Sequence, residues 1–297
     1  MSHVTVGIAL VPHLETLERL GRAIHELAEH WSLTPETLWR VDEGGAFVPN
    51  GFHAEFRRWR EARPRRCVAH GVGFSVGTPR REPTRRAAWI ERLKDDARAF
   101  EFEWCTDHLG ASRLGGREFT LPLPLLMNGA SAAVVRASLE ELREVVPDVG
   151  VENSVFYFHL GDPLREPEFL RACLSAPRSH LLLDLHNVHT TAHNAGFDAR
   201  DYLKRLPLDR AIEIHLSGGV DSDPRWLPGG ATRRLDSHDD VVPEAVWELF
   251  ELALPRCATL RAVTLERMEQ TVTSDAHARD VEHELERARR MLELARG

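Results

Sequence analysis

The sequence predicts an α/β protein built as a single-domain (β/α)8 TIM barrel. Three observations lead there. Strand-like and helix-like runs alternate eight times along the chain. Its 297 residues suit one such barrel, a fold that typically takes ~250. No G-x-G-x-x-G follows the first strand-like run, which argues against an open dinucleotide-binding sheet. Alternating βα units imply a parallel sheet, and eight of them imply that it closes.

The elements follow in order. Val4 to Leu10 is short and rich in β-branched residues, a strand. Leu14 to Trp31 carries Leu17, Leu20, Ile24 and Leu27 at helical spacing. Leu38 to Val41 is read as the second strand and Glu55 to Ala62 as a charged helix. Cys67 to Val76 is the third strand, and a helix from Pro83 to Phe100 has proline in its first turn. Phe102 to His108 is the fourth strand, and Ser131 to Val146 a helix stopped by Pro147. Gly150 to Phe158 reads as the fifth strand, Glu166 to Leu174 as a helix. His180 to Val188 is a buried apolar strand, followed by a helix from Ala199 to Leu206. Ala211 to Leu216 is the seventh strand and Pro243 to Leu254 its helix. Leu260 to Leu265 and Asp275 to Ala295 complete the eighth unit. One domain is expected over residues 1–297, with long loops at 109–127 and 217–234. Both follow strands, so both belong to the active face of a barrel.

Composition narrows the function. With 42% hydrophobic and 28% charged residues the chain is an ordinary globular protein. A formal net charge of -8 gives no basic field to hold nucleic acid. Arginines alternate with glutamates, as in Arg60-Glu61-Ala62-Arg63, the pattern of solvated helix faces. No apolar run approaches the ~20 residues that span a bilayer, and no signal-like N-terminus precedes the first strand. Four scattered cysteines give no disulfide framework. A cytoplasmic protein is expected.

Metal-ligand residue types collect where the strands end. His70 lies on the third strand, His108 ends the fourth, and Glu152-Asn153 lies in the fifth. The sixth carries Asp184-Leu185-His186-Asn187, the seventh Glu213-Ile214-His215, and Glu266 follows the eighth. The loop after the seventh strand offers Asp236-Ser237-His238. Residues two apart on a strand share a face. Asp184 with His186, Glu213 with His215, and an extended Asp236 with His238 would then point together into the barrel mouth. Buried parallel strands are normally apolar on both faces, and charged groups inside them are costly unless paired or metal-bound. A single histidine such as His70 is ordinarily a satisfied core residue, Glu213 is open to a salt bridge, and Asp107 reads as a turn cap. The repetition over most of the later strands is what favours ligation. His189 and His193 lie beyond the sixth strand, as groups for substrate or solvent. Cys67-x-x-His70 and Cys105-x-x-His108 resemble zinc pairs, but residues three apart on a strand face opposite ways. Both cysteines read as core. Histidine and carboxylate donors without cysteine suit iron, manganese or zinc. About nine candidates exceed the needs of one ion, so two or three are implied.

These motifs resemble a family. The runs His70-Gly71-Val72-Gly73-Phe74-Ser75-Val76-Gly77, Asp107-His108-Leu109, Val151-Glu152-Asn153-Ser154, Leu182-Leu183-Asp184-Leu185-His186-Asn187-Val188, Gly196-Phe197-Asp198, Glu213-Ile214-His215-Leu216 and Asp236-Ser237-His238, in that order, are similar to those of the bacterial multinuclear non-haem iron-dependent oxidases. The methanobactin-synthesis oxidase subunit belongs to that family. The resemblance runs from Gly7 to about Glu269. It implies a TIM barrel with two or three irons in mixed Fe(II)/Fe(III) state, O2 as co-substrate, and oxidation of cysteine or another residue in a ribosomally made precursor peptide. It also implies a partner protein that captures the peptide leader. By residue match His70, His108, Glu152, Asp184, His215, Asp236, His238 and Glu266 would be iron ligands, with His186 adding an imidazole where the family often has Asn. Glu152, as a bridge between ions, Asp184 and His215 are the expected catalytic positions. Asn153, Asn187 and Glu213 would support the ligands or face substrate. The chain departs from the family at Thr106-Asp107-His108, Gly218-Gly219, Glu266-Arg267-Met268 and Arg40-Val41-Asp42-Glu43. Other readings are a divalent-metal sugar isomerase, an abasic-site endonuclease-like barrel, and a non-catalytic metal-binding subunit of a peptide-modifying complex.

Overall fold

The computed structural model describes residues 3–79 and 82–295. Eight parallel strands close a barrel, as the alternation predicts. In chain order the elements are β1 (Thr5–Leu10), α1 (Leu14–Arg19), β2 (His30–Leu33), β3 (Trp39–Val41), β4 (Phe47–Pro49), α2 (Gly51–Ala62), β5 (Arg66–Gly71), α3 (Pro83–Phe100) and β6 (Phe102–His108). Then come β7 (Ala111–Leu114), β8 (Arg117–Leu123), α4 (Gly129–Leu142), β9 (Val149–Glu152), α5 (Glu166–Cys173), β10 (Ser179–Asp184), α6 (Leu185–Ala195) and α7 (Ala199–Arg205). The chain continues through β11 (Ala211–Leu216), α8 (Glu244–Ala253), β12 (Ala262–Leu265) and α9 (Asp275–Leu294). The barrel order is β1-β12-β11-β10-β9-β6-β5-β2.

The chain divides into two compact units, Met1–Ala28 with Leu183–Gly297, and Glu29–Leu182. In the first, β12 lies between β1 and β11, with Thr5 opposite Ala262 and Glu213 also opposite Ala262. Its core holds Ile8, Ile24, Trp247, Phe250, Val281 and Leu285. In the second, β5 lies between β2 and β6, and β6 pairs β9. Here the core is aromatic: Trp31, Phe56, Trp89, Phe100 and Trp104 are almost wholly buried. Trp39 stands edge-on to Trp89 at 5.2 Å, and its indole N–H donates to the fully buried Asp96 at 2.6 Å. Helix starts follow local chemistry. Asn50, Asn128, Asp184 and Ser274 each accept backbone N–H bonds as N-caps, and Pro83 sits in the first turn of α3.

Several elements differ from the sequence reading. The second barrel strand is His30–Leu33, not Leu38–Val41. The long helix expected over residues 14–31 breaks, because α1 ends at Arg19, a π-helical turn spans Ala23–Leu27, and Ala28 is already extended. Leu38 closes a 3-10 turn, and Trp39–Val41 pairs antiparallel with Phe47–Pro49 as a surface hairpin. The sixth strand stops at Asp184, where α6 begins. The fifth is the four residues Val149–Glu152 only. Of the two long loops, 109–127 folds largely into the β7–β8 hairpin, whereas 217–234 is tied by the bridge between Asp221 and Arg234 and by the Asn194 side chain, which bonds both backbone groups of Arg234. No helix among the described residues is long and apolar enough to cross a membrane.

Candidate metal centre

In the Glu29–Leu182 unit the ends of β5, β6 and β9 bring His70, His108 and Glu152 together. Register sets this up, because His108 lies opposite Glu152 and His70 opposite Thr106 in neighbouring strands. His108 Nδ1–H donates to the Gly71 carbonyl at 3.2 Å. Its Nε2 then presents a lone pair, and that atom lies 3.1 Å from Glu152 Oε2. His70 repeats the arrangement. Thr106 gives its hydroxyl proton to the Ala69 carbonyl, so His70 Nδ1 donates to Thr106 Oγ1 at 2.9 Å. His70 Nε2 then lies 3.6 Å from Glu152 Oε2. The two rings are 4.8 Å apart. Two imidazole lone pairs directed at one buried carboxylate repel unless a cation stands between them or the rings protonate.

In the other unit the ends of β10, β11 and β12 and the segment 236–238 gather seven predicted residues. Asp184, His186, Glu213 and His215 are fully buried. His215 is held from behind: its Nε2 lies 3.2 Å from Glu213 Oε1, and Thr264 Oγ1 donates to the same oxygen. The opposite ring nitrogen, Nδ1, points at Glu266 Oε2, 3.2 Å away. His238 lies between Asp236 (2.8 Å from Nε2) and Glu266 (3.6 Å from Nδ1). His186 Nδ1 is 3.5 Å from Asp236 Oδ1. The donor atoms of His186, Asp236 and His238 lie within 4.8 Å of one another, as do those of Asp184, His238 and Glu266.

The charges explain what such a group wants. Four carboxylates, Asp184, Glu213, Asp236 and Glu266, face three imidazoles. Burial alone would depress the basicity of His238, but Asp236, Glu266 and Asp184 hold its pKa up at about 10. Burial opposes protonation of His215 as well, and there Glu266 and Glu213 prevail and raise it. Asp236 is held low: its burial is outweighed by His238 and His186. His186, where burial dominates, is shifted down despite Asp236. A buried set with surplus acid favours added positive charge.

Two expectations about geometry need correction. Asp184 and His186 do not alternate on one strand face. Asp184 ends β10 and caps α6, its Oδ1 accepting the Asn187 N–H at 2.6 Å, and His186 reaches the cluster from the first turn of the helix. Nor is 236–238 an extended strand, since His238 adopts φ 50°. That conformation is uncommon for a residue with a side chain, and it is pinned where Met268 N–H donates to the His238 carbonyl. Asn153 and Asn187 are buried; Asn153 follows Glu152 directly, and Asn187 stands three residues after Asp184 and donates its N–H to it. Asp107 accepts the N–H of its neighbour His108 at 2.8 Å within β6, and burial with the nearby Glu36 carboxylate raises its pKa. Cys67, Cys105, Cys173 and Cys257 are all free and buried.

Some participants escaped the sequence reading. Thr106 and Thr264 stand two residues before His108 and Glu266, so strand alternation alone puts them on the ligand face. Glu36 was missed altogether. Its carboxylate accepts the backbone N–H groups of Val72 and Gly73 and so shapes the turn after β5. No pattern in the sequence ties Glu36 to a turn that distant.

Fold and site together define a TIM barrel with histidine–carboxylate clusters at its strand ends, groups that could hold metal ions. The comparisons go further. The family described as RiPP precursor modification enzyme MbnB/TglH/ChrH matches residues 45–293, and the chain belongs to it. A UPF0276 protein of Rhizorhabdus wittichii is 33% identical over 222 residues, covering 74% of this chain and 75% of that protein. One from Bordetella pertussis is 36% identical over 211 residues, 70% of each chain. Among solved structures, a D-tagatose 3-epimerase-like protein covers 99% of this chain and 100% of its own, with TM-score 0.60 and 12% identity. A xylose isomerase domain protein from Alicyclobacillus acidocaldarius covers 98% and 100%, with TM-score 0.56 and 17% identity. At those identities the likeness speaks for the barrel alone.

Proposed function

We propose that this chain is an iron- and O2-dependent oxidase that modifies a residue, cysteine in the first instance, of a ribosomally made precursor peptide. Membership of a peptide-modifying family supports the substrate class. The observation that carries the metal reading is the pair of His–carboxylate triads, His186–Asp236–His238 and Asp184–His238–Glu266, with His70, His108 and Glu152 as a further set. The donors fit iron, since they are imidazoles and carboxylates without thiolate. Two or three ions would be held by His70, His108, Glu152, Asp184, His186, His215, Asp236, His238 and Glu266. Bound iron would supply O2 activation and bind the substrate thiolate, with O2 accepting the electrons and protons that the residue loses.

The chain's own groups do the rest. Glu213 and Thr264 fix the His215 ring so that one nitrogen faces the cluster. The Gly71 carbonyl and Thr106 set the tautomers of His108 and His70. Burial keeps water from Asp184 and Glu213. The chain carries a net charge of -8, so an acidic leader peptide would be repelled; a partner protein that captures the leader fits that charge.

Elemental analysis of protein from iron-supplemented cells, with Mössbauer spectroscopy on an isotopically enriched sample, tests the reading. Two or more irons per chain with ferrous and ferric signals are expected. Zinc, manganese or magnesium alone, with activity indifferent to oxygen, would overturn it in favour of isomerase-type chemistry.

A further inference from the structure

Helix α6 carries more histidine than the proposed centre uses. His186, His189 and His193 fall at i, i+3 and i+7, which puts them on one stripe of the helix. The ring centroids of His186 and His189 are 6.4 Å apart, those of His189 and His193 are 6.4 Å apart, and His238 lies 6.4 Å from His186. Exposure is graded along the stripe: His193 is exposed, His189 half-buried, and His186 buried. The stripe therefore runs from solvent to the His186–Asp236–His238 triad in even steps.

The outer end is braced. The Asn194 side-chain amide donates to the Arg234 carbonyl, and its oxygen accepts the Arg234 N–H, both at 2.9 Å. The loop that supplies Asp236 and His238 is thus tied to the same turn of α6 that carries His193. Gly219 allows this closeness at the inner end, for a Cβ there would lie 2.3 Å from the Leu235 carbonyl and 3.0 Å from His186 Cε1.

His189 and His193 are four residues apart, the spacing at which two histidines on one helix face grip a single divalent ion. A hydrated ion entering a buried cluster must shed water, which is costly unless protein donors replace it. Successive imidazoles do that. A purely structural stripe would not need polar rings at both its buried and half-buried positions.

We propose that His189 and His193 form a capture site for a divalent transition-metal ion, from which the ion passes through His186 into the buried centre. This rests on the metal reading of that centre. Occupancy of the outer pair is transient, so its loss should slow loading without changing the final content.

The experiment mixes the chelator-treated full chain anaerobically with Co(II), whose visible absorbance reports imidazole and carboxylate ligation, and follows uptake by stopped flow. The variants are His193→Ala, which alters an exposed residue, and His189→Gln, which keeps a polar side chain. Losing one imidazole of the pair should weaken capture by about 10–100-fold, and at cobalt concentrations below saturation of the pair loading slows in proportion, by about tenfold or more in each. The final cobalt content should equal that of the unaltered chain. Equal loading rates in variants and unaltered chain would overturn the capture site while leaving the centre intact. Failure of the unaltered chain to take up cobalt or iron at all would overturn the centre and the capture site with it.

Discussion

Glu213 and Glu152 are both buried glutamates, yet their surroundings assign them different work. Glu152 faces the Nε2 atoms of His70 and His108. Glu213 faces the back of His215 and accepts from Thr264. Glu152→Gln should therefore abolish turnover and reduce bound iron, because it removes the charge the two imidazoles converge on; full activity with full iron would sink that assignment. Glu213→Gln keeps a hydrogen-bonding shape behind His215 and removes only its charge. Metal affinity should drop by about 10–100-fold while the fold persists, measured by competition with a chelator. These residues could be read from the sequence because strand alternation is strict: Glu213 and His215 share a face whatever the rest of the fold does. The roles could not, since which nitrogen is anchored depends on partners in neighbouring strands.

Asp184 shows where periodicity misleads. The run Leu181-Leu182-Leu183-Asp184-Leu185-His186-Asn187-Val188 reads as continuous buried strand, because apolar runs do not distinguish strand from buried helix. The structure turns at Asp184, a good N-cap residue, and ends α6 at Gly196 in the left-handed conformation that glycine adopts freely. His186 reaches the cluster all the same. The second barrel strand failed for the opposite reason. His30–Leu33 is only four residues long and follows a helical apolar spacing that absorbs it. Most strands, the closed barrel and nearly every ligand candidate were visible in the chain; the junctions were not. The cap that Asp184 makes and the metal ligation proposed for it can be separated by substitution. Asp184→Asn retains the cap and should match the unaltered chain in thermal stability once both are metal-free. Asp184→Ala should lose a further ~1 kcal/mol. Both should bind less metal. Equal metal content in all three would leave Asp184 as a cap alone.

A larger consequence follows from the charge inside the barrel. Among the described residues Asp184, Glu213, Asp236 and Glu266 are gathered with His186, His215 and His238, and of these groups Asp184, His186, Glu213 and His215 are fully buried. Without metal, the neighbouring carboxylates favour protonation of His215 and His238, whose pKa values are both raised. With metal, the same carboxylates would become ligands. Ions that bind the folded chain and not the unfolded one stabilise it by mass action, about 2.7 kcal/mol per site at a hundredfold excess over Kd. For a chain of this size each kcal/mol moves the melting temperature by roughly 2 °C, so stripping the metal should lower it by about 5 °C or more. Returning Fe(II) under anaerobic conditions should restore it. The buried tryptophans of each unit, Trp247 in one and Trp31, Trp89 and Trp104 in the other, are remote in chemistry from this effect, so the metal-free chain should stay folded at 25 °C, with its near-ultraviolet tryptophan signal intact. A melting temperature indifferent to chelation, in protein shown by elemental analysis to have lost its metal, would mean that the acids are satisfied within the protein, and the case for ions at this centre would fail.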